Sequence, residues 1–115
     1  MAKRPAPGTH HVAVVNDHGQ HRVVPGQIVT GGGDLVVFHS LTAGGVRLMF
    51  PTPILADSST GRPLERLTLG AGGSAEATVI GGRSLRPGSH TYLVYCEEVD
   101  DLAVGGSQPR IIIYR

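Results

Sequence analysis

The chain has little of what most chemical functions need. It carries one cysteine, Cys96, no tryptophan, two phenylalanines and three tyrosines. A lone cysteine excludes an intrachain disulfide and any paired-cysteine zinc motif, and it fits a reducing compartment. Charge of either sign is sparse. Ten Lys plus Arg against nine Asp plus Glu leave a net charge of +1, and 17 % of the residues are charged, against about 25 % in an ordinary soluble domain. No basic face of the size that phosphate backbones require can be assembled from so few cations, which argues against nucleic acid as a partner. Long apolar runs are missing too. Lys3 and Arg4 are followed by Pro5 and Pro7 rather than by an apolar stretch, so the amino terminus reads neither as a signal peptide nor as a membrane span. With Met1 as the natural start the expectation is a cytoplasmic protein. With an export signal trimmed away it would be periplasmic or secreted.

Glycine and proline are abundant, at 17 and 8 of 115 residues. With no collagen-like period, they punctuate a fold of many short elements joined by turns. The length suits one domain. Residues 1–10 read as a flexible tail and residues 11–115 as the folded unit. Short apolar, β-branched runs follow: His11–Val15, His21–Val24, Gln27–Thr30, Leu35–Ser40, Val46–Phe50, Leu67–Leu69, Ala75–Ile80, Thr91–Cys96 and Arg110–Tyr114. Asn16-Asp17-His18-Gly19 is a turn of residues that tolerate positive φ. Pro51–Leu64, with three prolines, reads as an irregular crossover between sheets. No window of about ten residues holds a helical period, and turn signals recur at roughly the spacing of a sandwich or barrel. The fold class is all-β.

Three segments carry a family resemblance. Gly33-Asp34-Leu35-Val36-Val37-Phe38-His39-Ser40, preceded by Pro25-Gly26, is similar to the opening of cupredoxins. Pro87-Gly88-Ser89-His90-Thr91-Tyr92-Leu93-Val94-Tyr95-Cys96 resembles their cysteine-bearing strand, and Gln108-Pro109-Arg110-Ile111-Ile112-Ile113 their last one. The resemblance implies a two-sheet Greek-key β-sandwich. Independently of it, a period of two puts Val36 with Phe38, and Tyr92 with Val94 and Cys96, on shared faces.

A blue-copper centre takes two imidazoles, a thiolate and a weak axial thioether. By the resemblance, Cys96 stands at the thiolate position. The first imidazole belongs in the loop that here reads Leu41-Thr42-Ala43-Gly44-Gly45-Val46-Arg47. The second imidazole and the thioether belong after Cys96, where the chain reads Glu97-Glu98-Val99-Asp100-Asp101-Leu102. Neither stretch contains histidine or methionine, so the expectation is a module with no copper or other cofactor. Cys96 among carboxylates reads as a buried small hydrophobe rather than a reactive thiolate. His39 and His90 flank the lost site and are, with Cys96, the weak metal candidates, although His39 faces away from Phe38. His10, His11, His18 and His21 lie close in sequence but read as surface residues. No serine, glycine run or acidic stretch matches a catalytic, phosphate or calcium motif, and no enzyme is expected. The reading is a non-catalytic module that binds another protein or a second copy of itself through the Pro51–Leu64 crossover and the apolar loop Leu41–Val46, with Leu41, Val46 and Arg47 as the candidate contact residues. The alternative is a metal-binding or electron-transfer protein with copper held by Cys96 and histidines in a non-standard set.

Overall fold

The computed structural model describes residues 8–81, 87–103 and 108–114. Twelve strands and no helix are found among them. The first layer is a five-stranded sheet ordered β2-β1-β4-β8-β6, made of β1 (Thr9–Asp17), β2 (Gln20–Val24), β4 (Leu35–Ser40), β6 (Leu55–Asp57) and β8 (Ser74–Val79). β1 runs parallel to β4, with Val12 opposite Phe38 and Val14 opposite Ser40. β1 and β2 form a hairpin through His18 and Gly19, with φ of 52° and 84°. Two consecutive positive φ values suit the right-handed twist of paired strands, and the Asn16 side chain accepts the Gly19 amide at 2.9 Å.

The second layer comprises two further hydrogen-bonded sheets rather than the single one expected. One is β11-β10-β5-β7, the other β3-β12-β9, from β3 (Gln27–Thr30), β5 (Val46–Met49), β7 (Arg66–Leu69), β9 (Gly88–Thr91), β10 (Leu93–Cys96), β11 (Asp101–Leu102) and β12 (Arg110–Ile113). β9 and β10 are one extended run broken at Tyr92, whose amide donates to the Pro109 carbonyl at 3.0 Å. The first half of the run pairs with β12 and the second half with β5. That single break turns one sheet into two. β12 is an inner strand, parallel to β3 and antiparallel to β9, so the apolar run at the carboxy terminus lies inside a sheet.

The Pro51–Leu64 segment is more ordered than its sequence suggests. It crosses to the first layer, adds β6 at the edge beside β8, and returns to the second layer as β7 beside β5. The turn after β6 is held by Asp57, whose Oδ1 accepts the amides of Ser59 and Thr60 at 2.8 and 3.0 Å. A hydrogen bond from the Ser59 hydroxyl, with these two amides, holds the Asp57 carboxyl below its ordinary pKa. At the amino end β1 begins at Thr9, inside the stretch read as a tail; residues 1–7 lie outside the described residues.

The inner faces follow the period of two. Val12, Val14, Val36 and Phe38 from the first layer meet Val46, Leu48, Tyr92, Val94, Cys96, Ile111 and Ile113 from the second, all buried. Phe38, Phe50 and Tyr92 form the middle of this core, with ring centroids 5.5 to 6.1 Å apart. Each such aromatic pair adds about 0.5–1.5 kcal/mol beyond its buried area. Burial pushes the Tyr92 phenol above its ordinary pKa.

Candidate functional site

One end of the sandwich departs from this apolar order. It is formed where β4, β10 and β2 reach their limits: Ser40 ends β4, Cys96 ends β10 and His21 lies near the start of β2. Among the described residues the buried polar side chains are His21, Thr30, Ser40 and Thr42. Three of these four lie at this end, so its chemistry differs from the rest of the interior. Ser40 Oγ and Thr42 Oγ1 are 3.2 Å apart, and Thr42 Oγ1 donates to the Gly44 carbonyl at 2.7 Å. The hydroxyls thus fold the 41–45 loop back onto β4, which satisfies groups that would otherwise be costly to bury.

That loop also packs against the turn after Cys96. A Cβ on Gly44 would fall 3.0 Å from the Glu98 backbone nitrogen, and one on Gly45 would fall 3.0 Å from the Leu69 carbonyl oxygen. Only side-chain-free residues let the backbones approach this closely. The Glu97 amide donates to the Gly45 carbonyl at 3.0 Å, fixing the two loops together. The acidic stretch itself is the turn of a tight hairpin in which Cys96 faces Asp101 and Tyr95 faces Leu102. Asp100 takes a positive φ of 52° and accepts a hydrogen bond from the Tyr95 hydroxyl. On the outer side Arg47 lies over the Tyr95 ring at 5.6 Å and 3.7 Å from Glu97.

His21 corrects the expectation that the early histidines are surface residues. It is 2 % exposed, and its Nε2 lies 3.0 Å from Glu98 Oε2. Its Nδ1 is buried with no hydrogen-bond partner. The signal was present in the sequence, since His21 and Val23 share a face by the period of two. What the sequence did not show was the partner, 77 positions away.

The other histidines disperse. His10 bonds Asp34 at 2.9 Å, and His18 occupies the exposed hairpin turn. His39 lies on the outer face of β4, stacked on His11. His90 sits on β9 opposite Ile111. The structure therefore does not gather His39, His90 and Cys96. Among the described residues no group of three His, Cys, Asp or Glu side chains is placed to hold a metal ion. The interaction candidates separate as well. Leu41 is 64 % exposed and Arg47 is on the surface, but Val46 is fully buried opposite Cys96 and offers no contact surface.

The donor set at this end does not fit a blue-copper ion. Cys96 is buried at the thiolate position, the loop after β4 presents Leu41 and Thr42, and the imidazole of His21 is engaged by Glu98. Met49, the methionine among the described residues, alternates with the inward Val46 and Leu48 and so faces out from β5. A soft trigonal site needs a second free imidazole and a thioether.

The two layers, with Cys96 buried at the end of β10 beside the loop that follows β4, form an all-β sandwich with a cupredoxin-like fold. Solved structures agree on the fold. The chain is similar to a reduced tryptophan-to-tyrosine mutant of amicyanin, with a TM-score of 0.56, 12 % identity, and coverage of 95 % of this chain and 85 % of that one. It is likewise similar to the reduced Cu(I) form at pH 4 of a proline-to-glycine mutant of amicyanin, at TM-score 0.54, 14 % identity and the same coverage. Amicyanin from Paracoccus versutus matches at TM-score 0.54 and 10 % identity, over 91 % of this chain and 80 % of that one. No protein-family model and no curated protein matches the sequence.

Proposed function

We propose that this domain is a non-catalytic recognition module that docks another protein, or a second copy of itself, through the loop end beside Cys96. One observation carries the reading. Of the six large hydrophobic residues that the described chain exposes, Leu41 and Val99 come from the two loops joined at this end and Leu102 from β11, the short strand that follows the second loop, at 64 %, 47 % and 40 % exposure. Exposed apolar groups concentrated in one place mark interaction sites, whereas single scattered ones mean nothing. Here they sit on rigid supports, because Gly44, Gly45 and the Ser40–Thr42 hydroxyls hold the loops down. Arg47 and Tyr95, beside the patch, are residue types enriched in interface cores.

The same reading takes the Cys96 end to be free of blue copper and of catalysis, for the donor-set reasons given above. Adding one equivalent of copper should give no intense blue thiolate band, and such a band would refute the copper-free reading. The docking reading is tested by light scattering across a concentration series and by affinity capture from the source organism, for the native chain and for Leu41→Asp with Val99→Asp. The native chain should associate with itself or retain a partner, and the double variant should lose that association while staying folded. A native chain that stays monomeric and retains the same proteins as the double variant would overturn it.

A further inference from the structure

One edge of the second layer is bare. In the β3-β12-β9 sheet, β3 has β12 on one side and, among the described residues, no strand on the other. We infer that this edge pairs with β3 of a second copy about a two-fold axis, joining two three-stranded sheets into one of six strands.

The ladder shows which backbone groups are open. The Arg110 amide donates to the Gly26 carbonyl at 2.9 Å, and the Tyr114 amide to the Thr30 carbonyl at 3.2 Å. Successive residues of a strand turn their amides and carbonyls to opposite sides. Gly26, Ile28 and Thr30 therefore face β12, whereas Gln27 and Val29 face the open side. The two stand symmetrically about Ile28. An antiparallel second β3 centred on Ile28 sets Gln27 of each copy opposite Val29 of the other. Each of these pairs exchanges two N–H···O bonds, so four form across the seam. Ile28, buried on the inner face, then stands against its own counterpart.

The composition of the edge favours a second copy. Across a two-fold axis a strand meets itself, and like charges set opposite each other in a ladder are destabilising. The other edges carry such charges or a proline: Arg22 on β2, Asp57 on β6, Arg66 on β7, Asp101 on β11, and Pro87 immediately before β9. Charged residues and prolines are how edge strands avoid pairing. β3 reads Gln-Ile-Val-Thr and has neither. Its outer surface is apolar as well. Val29 is 52 % exposed, with Ile112 beside it in the register and Tyr114 beyond at 58 %. Leu41, Val99 and Leu102 take no part, so this edge is independent of docking at the Cys96 end.

The test is analytical ultracentrifugation of the intact chain carrying Leu41→Asp and Val99→Asp, which removes association through the Cys96 end. An interface this small is weak, with a dissociation constant expected on the order of 100 µM. A two-fold interface closes on itself, so the mass should stop at twice that of the chain. On raising the concentration, the amides of Gln27 and Val29 should exchange hydrogen more slowly, and those of Ile28 and Thr30 should not change. Adding Val29→Pro removes an amide that β12 does not use, and adding Val29→Lys places a charge at the seam. Each should weaken the dimer about tenfold or more. Val29 is an exposed position, so circular dichroism should be unchanged, and Val29→Lys carries the test if the proline disturbs the strand. A chain that stays monomeric at roughly 1 mM, or dimers as tight in the Val29→Lys variant, would overturn the inference.

Discussion

The middle of the sandwich and its Cys96 end are built from the same strands but by opposite rules. In the middle, Phe38, Phe50 and Tyr92 fill the space between the layers with ring packed on ring. At the end, hydroxyls and an imidazole are buried, while leucine and valine side chains are turned outward. The middle is a device for stability, since burial of apolar area is the dominant favourable term in folding. The end gives up some of that gain by burying polar groups and exposing apolar ones. Selection for stability alone has no use for such an inversion, which is why the end is where binding is to be sought.

The contrast can be broken by mutation, beginning with the largest effect. Phe38→Ala removes a ring that touches both layers and should cost about 3–5 kcal/mol in urea unfolding. A loss of less than about 1 kcal/mol would show that the aromatic middle does not hold the layers together.

At the other end, Glu98→Ala strips the partner from a buried imidazole whose second nitrogen already has none, and should cost about 1–3 kcal/mol. His21→Leu removes the imidazole together with its requirement and should cost less than Glu98→Ala. The order of the two unfolding midpoints is the readout, and the reverse order would mean that the pair is not what stabilises this end.

A smaller effect is expected at Asp34, which ties the start of β1 to the turn before β4. Burial raises its carboxyl, but hydrogen bonds from His10, Gly31 and Gly8, with the attraction of His10, outweigh that and leave it below the ordinary aspartate pKa. A depressed folded-state pKa means the contribution is complete above the unfolded value and disappears as pH falls through the folded one. Asp34→Asn should lower the unfolding free energy by about 1 kcal/mol at neutral pH and flatten the acid limb of a thermal-stability profile. An unaltered acid limb would remove Asp34 from the groups that set it. The smallest effect belongs to Leu41→Asp, which should change stability by no more than about 0.5 kcal/mol. A larger loss would mean that Leu41 is part of the core rather than a surface offered to a partner.

Most of the strand layout was legible because it rests on local signals. The alternation in Leu35–Ser40 and the apolar run at Arg110–Ile113 name their own faces, and the Gly33-Asp34 and Pro87-Gly88 turns place them. What was hidden depends on pairing across long distances. β6 is three residues set between prolines and a turn, too short for any periodicity, and it exists because β8 offers it an edge. β11 is two residues that pair only because the 97–100 turn is tight. The histidine partners were hidden for the same reason. His10, His11, His18 and His21 all read as surface residues in the sequence, whereas the parallel β1–β4 register brings His11 to His39 and His10 to Asp34, and the end packing buries His21 against Glu98. Val46 reads both as the start of a strand and as the end of the loop that begins at Leu41, and as the first residue of β5 it faces inward.

Thr30 Oγ1 donates to the Ile112 carbonyl across 82 positions of chain, and among the described residues β3 has no strand beside it but β12. During synthesis the β3-β12-β9 sheet must therefore wait, with Ile28 uncovered and the β3 ladder unmade, until β12 has left the ribosome. Topologies dominated by such distant pairings fold slowly and leave apolar edges open meanwhile. A nascent chain stalled before Arg110 is thus a natural client for a chaperone.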